Sequence, residues 1–458
     1  MKCLSPLFIT DLIAGLTRNL LRIRLSFRTS IPHCGLDPQS PADTTLIPDQ
    51  FSINYYIPMA IHIYTLTSDL HDEQTVDTTT RQFLAALGHD YVFKGHDYSD
   101  YGEAPLSLLF VRTGGTEGLF LRLLPQLRQQ TDQPFYLLTS GTSNSLAASM
   151  EILSYLNAHR LRGEILHGDS AYLQHRISLL MRVEQAKRRF RDCRLGIIGK
   201  PSDWLIASDY DPVRIFSSLG ITMVDIPMAE MLQVYHALPI DDDPMGTSLT
   251  TDERILRALP GAHHIYKTLR QLVDQYQLSG LTLRCFDLLT SVQNTGCMAL
   301  ARLNSEGIVG GCEGDVPTML SMMIAQALFG VSGFQANLSR IDHATGELLF
   351  AHCTIPLDMV ERYELDTHFE SGIGVGIRGY APNGPVTIFK VSGDLRRSFI
   401  AEGELVASTS EPNLCRTQQR IRLSDPSQAR YFLTEPIGNH HVILPGHVAD
   451  CLHELHYK

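Results

Sequence analysis

The sequence predicts an α/β protein in which two Rossmann-like domains with parallel sheets precede a β-rich, barrel-like C-terminal domain. Strand-like runs alternate with helix-like segments from Met59 onward, and a second succession of this kind starts at Cys193. After Gly372 the pattern changes to short alternating stretches separated by Gly, Pro, Asn and Asp, which is typical of a β-rich domain. The predicted domains are 59–170, 171–365 and 366–458.

The N-terminal domain is predicted from apolar strand candidates that are followed by polar turns. Ile61–Thr65 and Leu106–Arg112 are two of these strands. The segments TGGTE (113–117) and TSGTSNS (139–145) each follow a strand and precede a helix. Ligands bind at this edge of a parallel sheet, where helix N-termini offer free N–H groups. Both segments are therefore candidate binding loops.

The central domain is predicted to begin with the strand at 193–200. Its glycines, Gly196 and Gly199, do not form a G-x-G-x-x-G fingerprint, so a dinucleotide site is not expected. Residues 239–260 resemble a loop, because three adjacent aspartates precede a proline there. The α/β pattern resumes at Leu281.

Composition excludes several classes of protein. The 458-residue chain carries 38 basic and 49 acidic residues, a net charge of −11, so nucleic acid is not expected as a partner. No unbroken apolar run reaches the roughly 18 residues of a membrane span. The nine cysteines are odd in number, irregularly spaced and without a CxxC pair. Reduced thiols and a cytoplasmic location are therefore predicted.

Residues 1–58 differ in texture from the rest of the chain. An apolar stretch precedes a basic cluster instead of following one, and the next twenty residues are rich in Pro, Ser, Thr and Asp. We interpret 1–58 as a disordered extension or an over-extended start, and an export signal is the alternative. The segment is therefore expected to be dispensable.

Three clusters carry candidate chemistry. Glu313 and Asp315 lie in the glycine-rich segment GGCEGDVP, His352 ends the apolar run LLFAH, and His440 and His441 follow a glycine turn in GNHH. Taken singly, each has an ordinary explanation: a helix cap, a satisfied core histidine, or surface residues. Together, a carboxylate and histidines at three strand ends indicate a mixed oxygen and nitrogen site for a divalent metal.

The same residues carry a family resemblance. The segment from Arg284 to Pro356, with CFDLL, NTGCMALARLNSEGIVGGCEGDVPTMLSMMIAQALFG and GFQANLSRIDHATGELLFAHCTIP, resembles the L-fucose isomerase and L-arabinose isomerase superfamily. The resemblance extends through FVRTGGTE, LLTSGTSNSLAASMEIL and VTIFKVSGD. It implies that Glu313, His352 and His441 are metal ligands. At the place of the family's second acidic ligand this chain has Asn337.

The resemblance also implies an activity, which is conversion of an aldose into a ketose through an ene-diolate, with Mn²⁺ as the expected metal. Glu313 would be the base. Asn337 can offer an oxygen to the metal but cannot take a proton, so Asp342, five residues on, is a possible substitute. Glu313, Asn337 and Asp342 are thus the predicted catalytic positions.

The substrate implied by the resemblance is a small sugar, bound in a homo-oligomer, a trimer or a hexamer. The two N-terminal loops would contact the sugar from a neighbouring subunit. The predicted substrate-binding residues are Thr116, Glu117, Ser143, Asn144, Asp315 and His440.

Three alternatives remain open at this stage. Asn337 could mark a sugar-binding relative with altered catalysis. The same scaffold could carry another metal-dependent reaction, such as that of an epimerase or a retro-aldol lyase. A generic α/β binding protein without a metal is the third.

Overall fold

The computed structural model describes residues 61–240 and 249–455. The interpretation of 1–58 and the three adjacent aspartates lie outside these described ranges. Within the ranges, no helix combines the length and the apolar character that a membrane span requires.

The N-terminal unit is a five-stranded parallel sheet in the order β2-β1-β3-β4-β5, with helices between its strands. Every residue of β3 and β4 is buried, as expected for strands covered on both faces. The loops TGGTE and TSGTSNS follow these two strands at the carboxyl edge, as predicted. The elements of this unit are β1 Ile61–Leu66, α1 Glu73–Ala85, β2 Tyr91–Gly95, β3 Ser107–Val111, α2 Glu117–Gln130, β4 Phe135–Thr139, α3 Ser145–Ala158, β5 Gly163–Leu166 and α4 Ser170–Phe190.

The central unit is a four-stranded parallel sheet in the order β7-β6-β8-β9. The chain runs from β6 to β7 on one side and then returns to the other side of β6, so the strand order reverses between β6 and β8. Ligands in such sheets bind beyond the carboxyl ends of the strands at this reversal. The elements are β6 Arg194–Ile198, α5 Pro212–Leu219, β7 Thr222–Ile226, α6 Met228–Ala237, α7 Glu253–Tyr276, β8 Gly280–Leu283, α8 Asp287–Ser291, α9 Cys297–Ser305, β9 Val309–Cys312 and α10 Val316–Phe329.

Helix α7 corrects the prediction that 239–260 is a loop. The helix begins at Glu253, where the side chain of Asp252 caps it by accepting a hydrogen bond from a backbone N–H. Pro260 lies inside the helix. Buried apolar residues on both sides of the proline, including Ile255 and Ile265, hold the helix against the core. Tertiary packing here outweighs the local preference of proline.

The C-terminal unit is a closed barrel of six antiparallel strands in the order β10-β11-β16-β15-β14-β17, which confirms the predicted fold class. Its first two strands precede residue 366, so the barrel begins earlier than the change of pattern at Gly372 indicated. Strands β12 and β13 form a separate pair. The elements are β10 Phe334–Asp342, β11 Glu347–His352, the 3₁₀ turn Leu357–Met359, β12 Arg362–Asp366, β13 Gly376–Tyr380, β14 Gly384–Val391, β15 Ser398–Thr409, β16 Thr417–Leu423, the 3₁₀ turn Pro426–Arg430, α11 Tyr431–Thr434, β17 His440–Pro445 and α12 Ala449–Glu454.

Helix α10 joins the central sheet to the barrel. Nearly all of its side chains are buried, which is typical of a helix that is apolar all round and has partners on every side. One core cluster combines α10 with Leu195 and Val309 of the sheet and with Phe389 and Val442 of the barrel. The turn that precedes α10 is therefore held against the barrel.

Candidate active site

The EGD segment is a strained turn between β9 and α10. Glu313 adopts a left-handed backbone conformation, with φ of 65°, and Gly314 follows with φ of 72°. A non-glycine residue in this region costs about 1–3 kcal/mol and persists only where the surroundings hold it. The carbonyl of Glu313 accepts a hydrogen bond of 2.9 Å from the N–H of Ser202. Asp315 then caps α10 by accepting the N–H of Thr318 at 2.9 Å. In this backbone conformation the Glu313 side chain extends toward the barrel.

Glu313 meets two histidines of the barrel. Its Oε1 atom lies 3.7 Å from Nε2 of His352 and 3.5 Å from Nε2 of His440. All three residues are buried, and their three candidate ligand atoms lie within 4.8 Å of one another. His352 ends β11 and His440 begins β17, so the site lies where the barrel meets the carboxyl edge of the central sheet.

A second layer of buried groups orients His440. Its Nδ1 atom is 2.8 Å from Oδ2 of Asp315, while Nε2 makes no hydrogen bond with any described residue. Asp315 also forms an ion pair with Lys390 at 3.4 Å, and Lys390 bonds the hydroxyl of Thr318. A carboxylate on one ring nitrogen fixes the tautomer and leaves the other nitrogen available. Nε2 of His440 is therefore an oriented nitrogen that makes no hydrogen bond with the described residues and faces Oε1 of Glu313.

The charges in this cluster are strongly coupled. Burial alone would lower the pKa of His440, but Glu313 and Asp315 outweigh burial and raise the pKa to about 9. Burial would raise the pKa of Glu313, yet the positive charge of His440 holds it well below its usual range. The pKa of Asp315 is also lowered despite burial, by Lys390 and His440. Two ionised carboxylates in a buried space thus require positive charge close by.

The residues fit a divalent metal ion. Imidazole and carboxylate donors bind such ions at about 2.0–2.2 Å, which brings neighbouring donor atoms to about 3 Å from one another. The 3.5 and 3.7 Å separations around Oε1 of Glu313 are close to this value. Among residues 61–240 and 249–455 no thiol joins the set, and the neighbouring Cys312 is buried against Cys285, with their sulfurs 3.0 Å apart. Glu313, His352 and His440 are the candidate ligands, and the donor set does not specify Mn²⁺.

His440 is at the site, and His441 is not, contrary to the predicted ligand set. His441 lies on the opposite face of β17, where it packs against Phe399 and Phe432. Its Nε2 atom is 3.0 Å from the hydroxyl of Tyr431, and burial lowers its pKa to about 3. Successive side chains of a strand point to opposite faces, so only one member of the pair can reach Glu313.

Asn337 and Asp342 differ in their relation to the cluster. Asn337 pairs directly with His440 across β10 and β17, so both side chains are on the same face. Its Oδ1 atom accepts a hydrogen bond of 2.9 Å from the side chain of Asn439. Asp342 is exposed in the β10–β11 turn, where its carboxylate accepts the N–H of Ala344 at 2.8 Å. Five residues of strand, about 17 Å, separate it from Asn337. Asp342 is therefore not part of the cluster.

Known proteins with similar sequences are sugar isomerases. No family model matches the chain. It is 21% identical over 263 residues to a sulfoquinovose isomerase of Priestia aryabhattai, covering 54% of this chain and 59% of that protein. The matches to the sulfoquinovose isomerases of Alkalicoccus urumqiensis and Clostridium sp. (strain MSTE9) are 21% over 193 residues and 22% over 225 residues. These cover 40% and 47% of this chain, and 43% and 48% of the respective relatives.

The superfamily resemblance is confirmed. The sulfoquinovose isomerases belong to the L-fucose and L-arabinose isomerase-like superfamily. The chain spans at most 59% of the length of the relatives it matches.

The predicted substrate loops of the N-terminal unit lie at its own sheet edge. Thr116 is fully buried and its hydroxyl bonds the carbonyl of Thr113, and Glu117 begins α2. Ser143 and Asn144 both have a left-handed backbone, with φ of 51° and 57°. None of these residues makes a described hydrogen bond or ion pair with the Glu313 cluster. Their role as contacts from a neighbouring subunit stays a prediction.

Two site residues were missed in the sequence. Lys390 is a fully buried lysine inside the apolar stretch VTIFKV, an anomaly that itself indicates a buried anionic partner. Trp204 is the single tryptophan of the chain, in the loop after β6, and its indole N–H donates to Oε2 of Glu313 at 2.7 Å. Its position in the loop after a predicted strand was the available signal.

Proposed function

We propose that this protein is an aldose–ketose isomerase that acts on a small sugar with a divalent metal ion bound by Glu313, His352 and His440. The observation that carries the proposal is the buried cluster of these three donors, in which Nε2 of His440 has no hydrogen-bond partner. The sulfoquinovose isomerases among the relatives support the reaction type.

The bound ion would polarise the sugar carbonyl and stabilise the negative charge that develops on two neighbouring oxygens. The residues of the chain supply orientation and proton transfer. Asp315 holds His440 through Nδ1, and Lys390 balances the charge of Asp315. Glu313 would remove the proton from C2 of the sugar, giving an ene-diolate, and return it to C1, while the proton of the C2 hydroxyl passes to the oxygen on C1.

Asn337 stands where a second acid is expected and cannot accept a proton, so this position supplies no second proton carrier. Asp315 is occupied by His440, Lys390 and Thr318. Proton transfer by a positioned side chain contributes about 10²–10⁴ in rate. We therefore propose slow isomerisation of common aldoses by the natural protein.

The test is a panel of sulfoquinovose, pentoses and 6-deoxyhexoses with Mn²⁺, followed by ketose formation and deuterium exchange at C2. Slow ketose formation with exchange is expected. Asn337→Asp should tighten Mn²⁺ binding and raise the rate, since it restores a charge and a proton carrier, and Glu313→Gln should abolish both signals. Asp342→Asn is the matched control, because it alters a carboxylate outside the cluster.

The outcomes also separate the alternatives. Deuterium exchange with inversion at C2, without ketose formation, would favour an epimerase. Cleavage of the carbon chain of the sugar would favour a lyase. Saturable sugar binding without exchange would favour a relative with altered catalysis. Brisk turnover by the natural protein would mean that another residue carries the second proton. Mn²⁺ as the native ion, the trimer or hexamer and the cytoplasmic location stay predictions.

A further inference from the structure

Trp204 is an aromatic residue beside the candidate metal ligands with no role assigned so far. Its indole N–H bonds Oε2 of Glu313 at 2.7 Å, while 51% of the residue is exposed. The ring meets Phe286 edge-on at a centroid distance of 4.7 Å, and Phe286 meets His368 in the same way at 5.5 Å. Trp204 therefore borders the Glu313 carboxylate, and Phe286 and His368 continue a row of rings away from it.

These rings come from the edge of the central sheet where a ligand is expected. Trp204 follows β6, Phe286 follows β8 and Glu313 follows β9. The sheet order reverses between β6 and β8, and ligands of parallel sheets bind beyond the carboxyl ends of strands at such a point. Trp204, Phe286 and Glu313 thus lie at the same carboxyl edge of the central sheet.

The loop that carries Trp204 is fixed by several bonds. Arg284 donates to the carbonyl of Pro201 and forms an ion pair with Asp203 at 2.9 Å. Ser202 donates its N–H to the carbonyl of Glu313 at 2.9 Å. The loop and the EGD turn therefore form one connected structure, in which the indole is held against the carboxylate.

The indole N–H determines which oxygen of Glu313 faces the two histidines. The indole N–H only donates hydrogen bonds, so it can hold one carboxylate oxygen and cannot itself accept a hydrogen bond. With Oε2 bonded to Trp204, Oε1 faces the imidazoles of His352 and His440. Loss of the N–H would free the carboxylate to rotate away from the two histidines.

The exposed part of Trp204 offers an apolar surface for the substrate. Tryptophan commonly buries its apolar body once its N–H has found a partner, but here half of the residue is still exposed. A sugar has hydroxyl groups at its edge and a face of C–H groups. The C–H face packs on an aromatic ring, and the hydroxyl edge can then turn toward the metal ligands.

We propose that Trp204 is a positioning and substrate-contact residue: its indole N–H fixes Glu313 so that Oε1 faces the two histidines, and its open ring receives the C–H face of the sugar. This inference rests on the proposed function for the identity of the ligand. Its contact with Glu313 can be tested without catalysis.

Fluorescence of the full-length protein tests the placement of Trp204 directly, because the chain has no other tryptophan. Added Mn²⁺ should change the tryptophan emission, and the midpoint of this change should equal the midpoint of Mn²⁺ binding measured by equilibrium dialysis. A sugar of the panel should then change the emission further. The control is Trp204→Phe combined with Tyr172→Trp, which moves the fluorophore to a half-exposed position on α4. Its emission should not respond to either addition.

Two substitutions separate the two roles. Trp204→Phe keeps a ring and loses the N–H, so Mn²⁺ affinity should fall about 10-fold, the lower end for loss of a partner that orients a ligand. Trp204→Ala also removes the ring, so the midpoint of sugar binding should be higher in this variant than in Trp204→Phe. In both variants it is measured by titration calorimetry, because neither retains a tryptophan. The positioning role would be overturned if both variants kept the Mn²⁺ affinity of the natural protein. It would also be overturned if the emission of the natural protein did not change when Mn²⁺ binds. Equal sugar midpoints in the Phe and Ala variants, or no response to any sugar, would overturn the contact role.

The inference and the proposed function can fail separately. A saturable, sugar-dependent emission change without ketose formation would support the role of Trp204 and contradict the isomerase. Ketose formation without any emission change would support the isomerase and overturn the role of Trp204.

Discussion

The adjacent residues His440 and His441 allow a direct test of the site, because the structure places them on opposite faces of β17. His440 supplies one of three candidate ligand atoms and bonds Asp315 at 2.8 Å. Loss of a group that only orients a ligand weakens metal binding about 10–100-fold, so loss of the ligand itself in His440→Ala should cost at least about 100-fold.

His441→Ala should affect stability instead. The buried ring packs against Phe399 and Phe432, so its removal leaves a cavity that costs about 2–4 kcal/mol by comparison with other large-to-small core substitutions. The hydroxyl of Tyr431 also loses a hydrogen bond, which contributes about 1 kcal/mol. Mn²⁺ affinity should be unchanged, since His441 faces away from Glu313.

Two assays on the same variants measure these effects. Mn²⁺ binding is titrated by electron paramagnetic resonance, and urea unfolding is followed by the emission of Trp204. The reasoning would be refuted if His441→Ala lost Mn²⁺ binding while His440→Ala kept it. That result would mean that His441, and not His440, faces Glu313.

Two further predictions concern the residues that support the site. Lys390→Met should lower the free energy of unfolding by about 3–5 kcal/mol, because it leaves the buried carboxylate of Asp315 without its ammonium partner. Lys94→Met, at a partly solvated ion pair, should change the urea midpoint little, and equal losses in the two variants would contradict this. Gly314→Ala should lower the melting temperature and Mn²⁺ affinity together, since its Cβ would lie 2.5 Å from the carbonyl oxygen of Lys200. An unchanged melting temperature would show that the turn tolerates a side chain.

The parts of the site that follow local rules could be predicted from the sequence. The EGD turn is one, because glycines around two carboxylates after an apolar strand specify a tight strand-to-helix connection, and Asp315 caps the helix as its position implies. His352 is another, since it ends an apolar strand. In both cases a few neighbouring residues determine the geometry.

The parts that depend on distant residues could not be predicted. Which of His440 and His441 faces Glu313 depends on the pairing of β17 with β10, about a hundred residues earlier. The start of the barrel was missed for a similar reason, because the apolar strand ELLFAH has the composition of a parallel-sheet strand and its barrel partners lie later in the chain. Lys390 and Trp204 reach the site only through the packing of β14 and of the loop after β6.

The central claim is that Glu313 and two histidines bind one divalent metal ion. The most direct measurement is a Mn²⁺ titration of the metal-depleted full-length protein and of Glu313→Gln, with Asp342→Asn as a control that changes a carboxylate in an exposed turn. We predict one saturable site per chain in the natural protein and in Asp342→Asn, and loss of that site in Glu313→Gln. Absence of saturable binding in the natural protein, or equal binding by Glu313→Gln, would contradict the account.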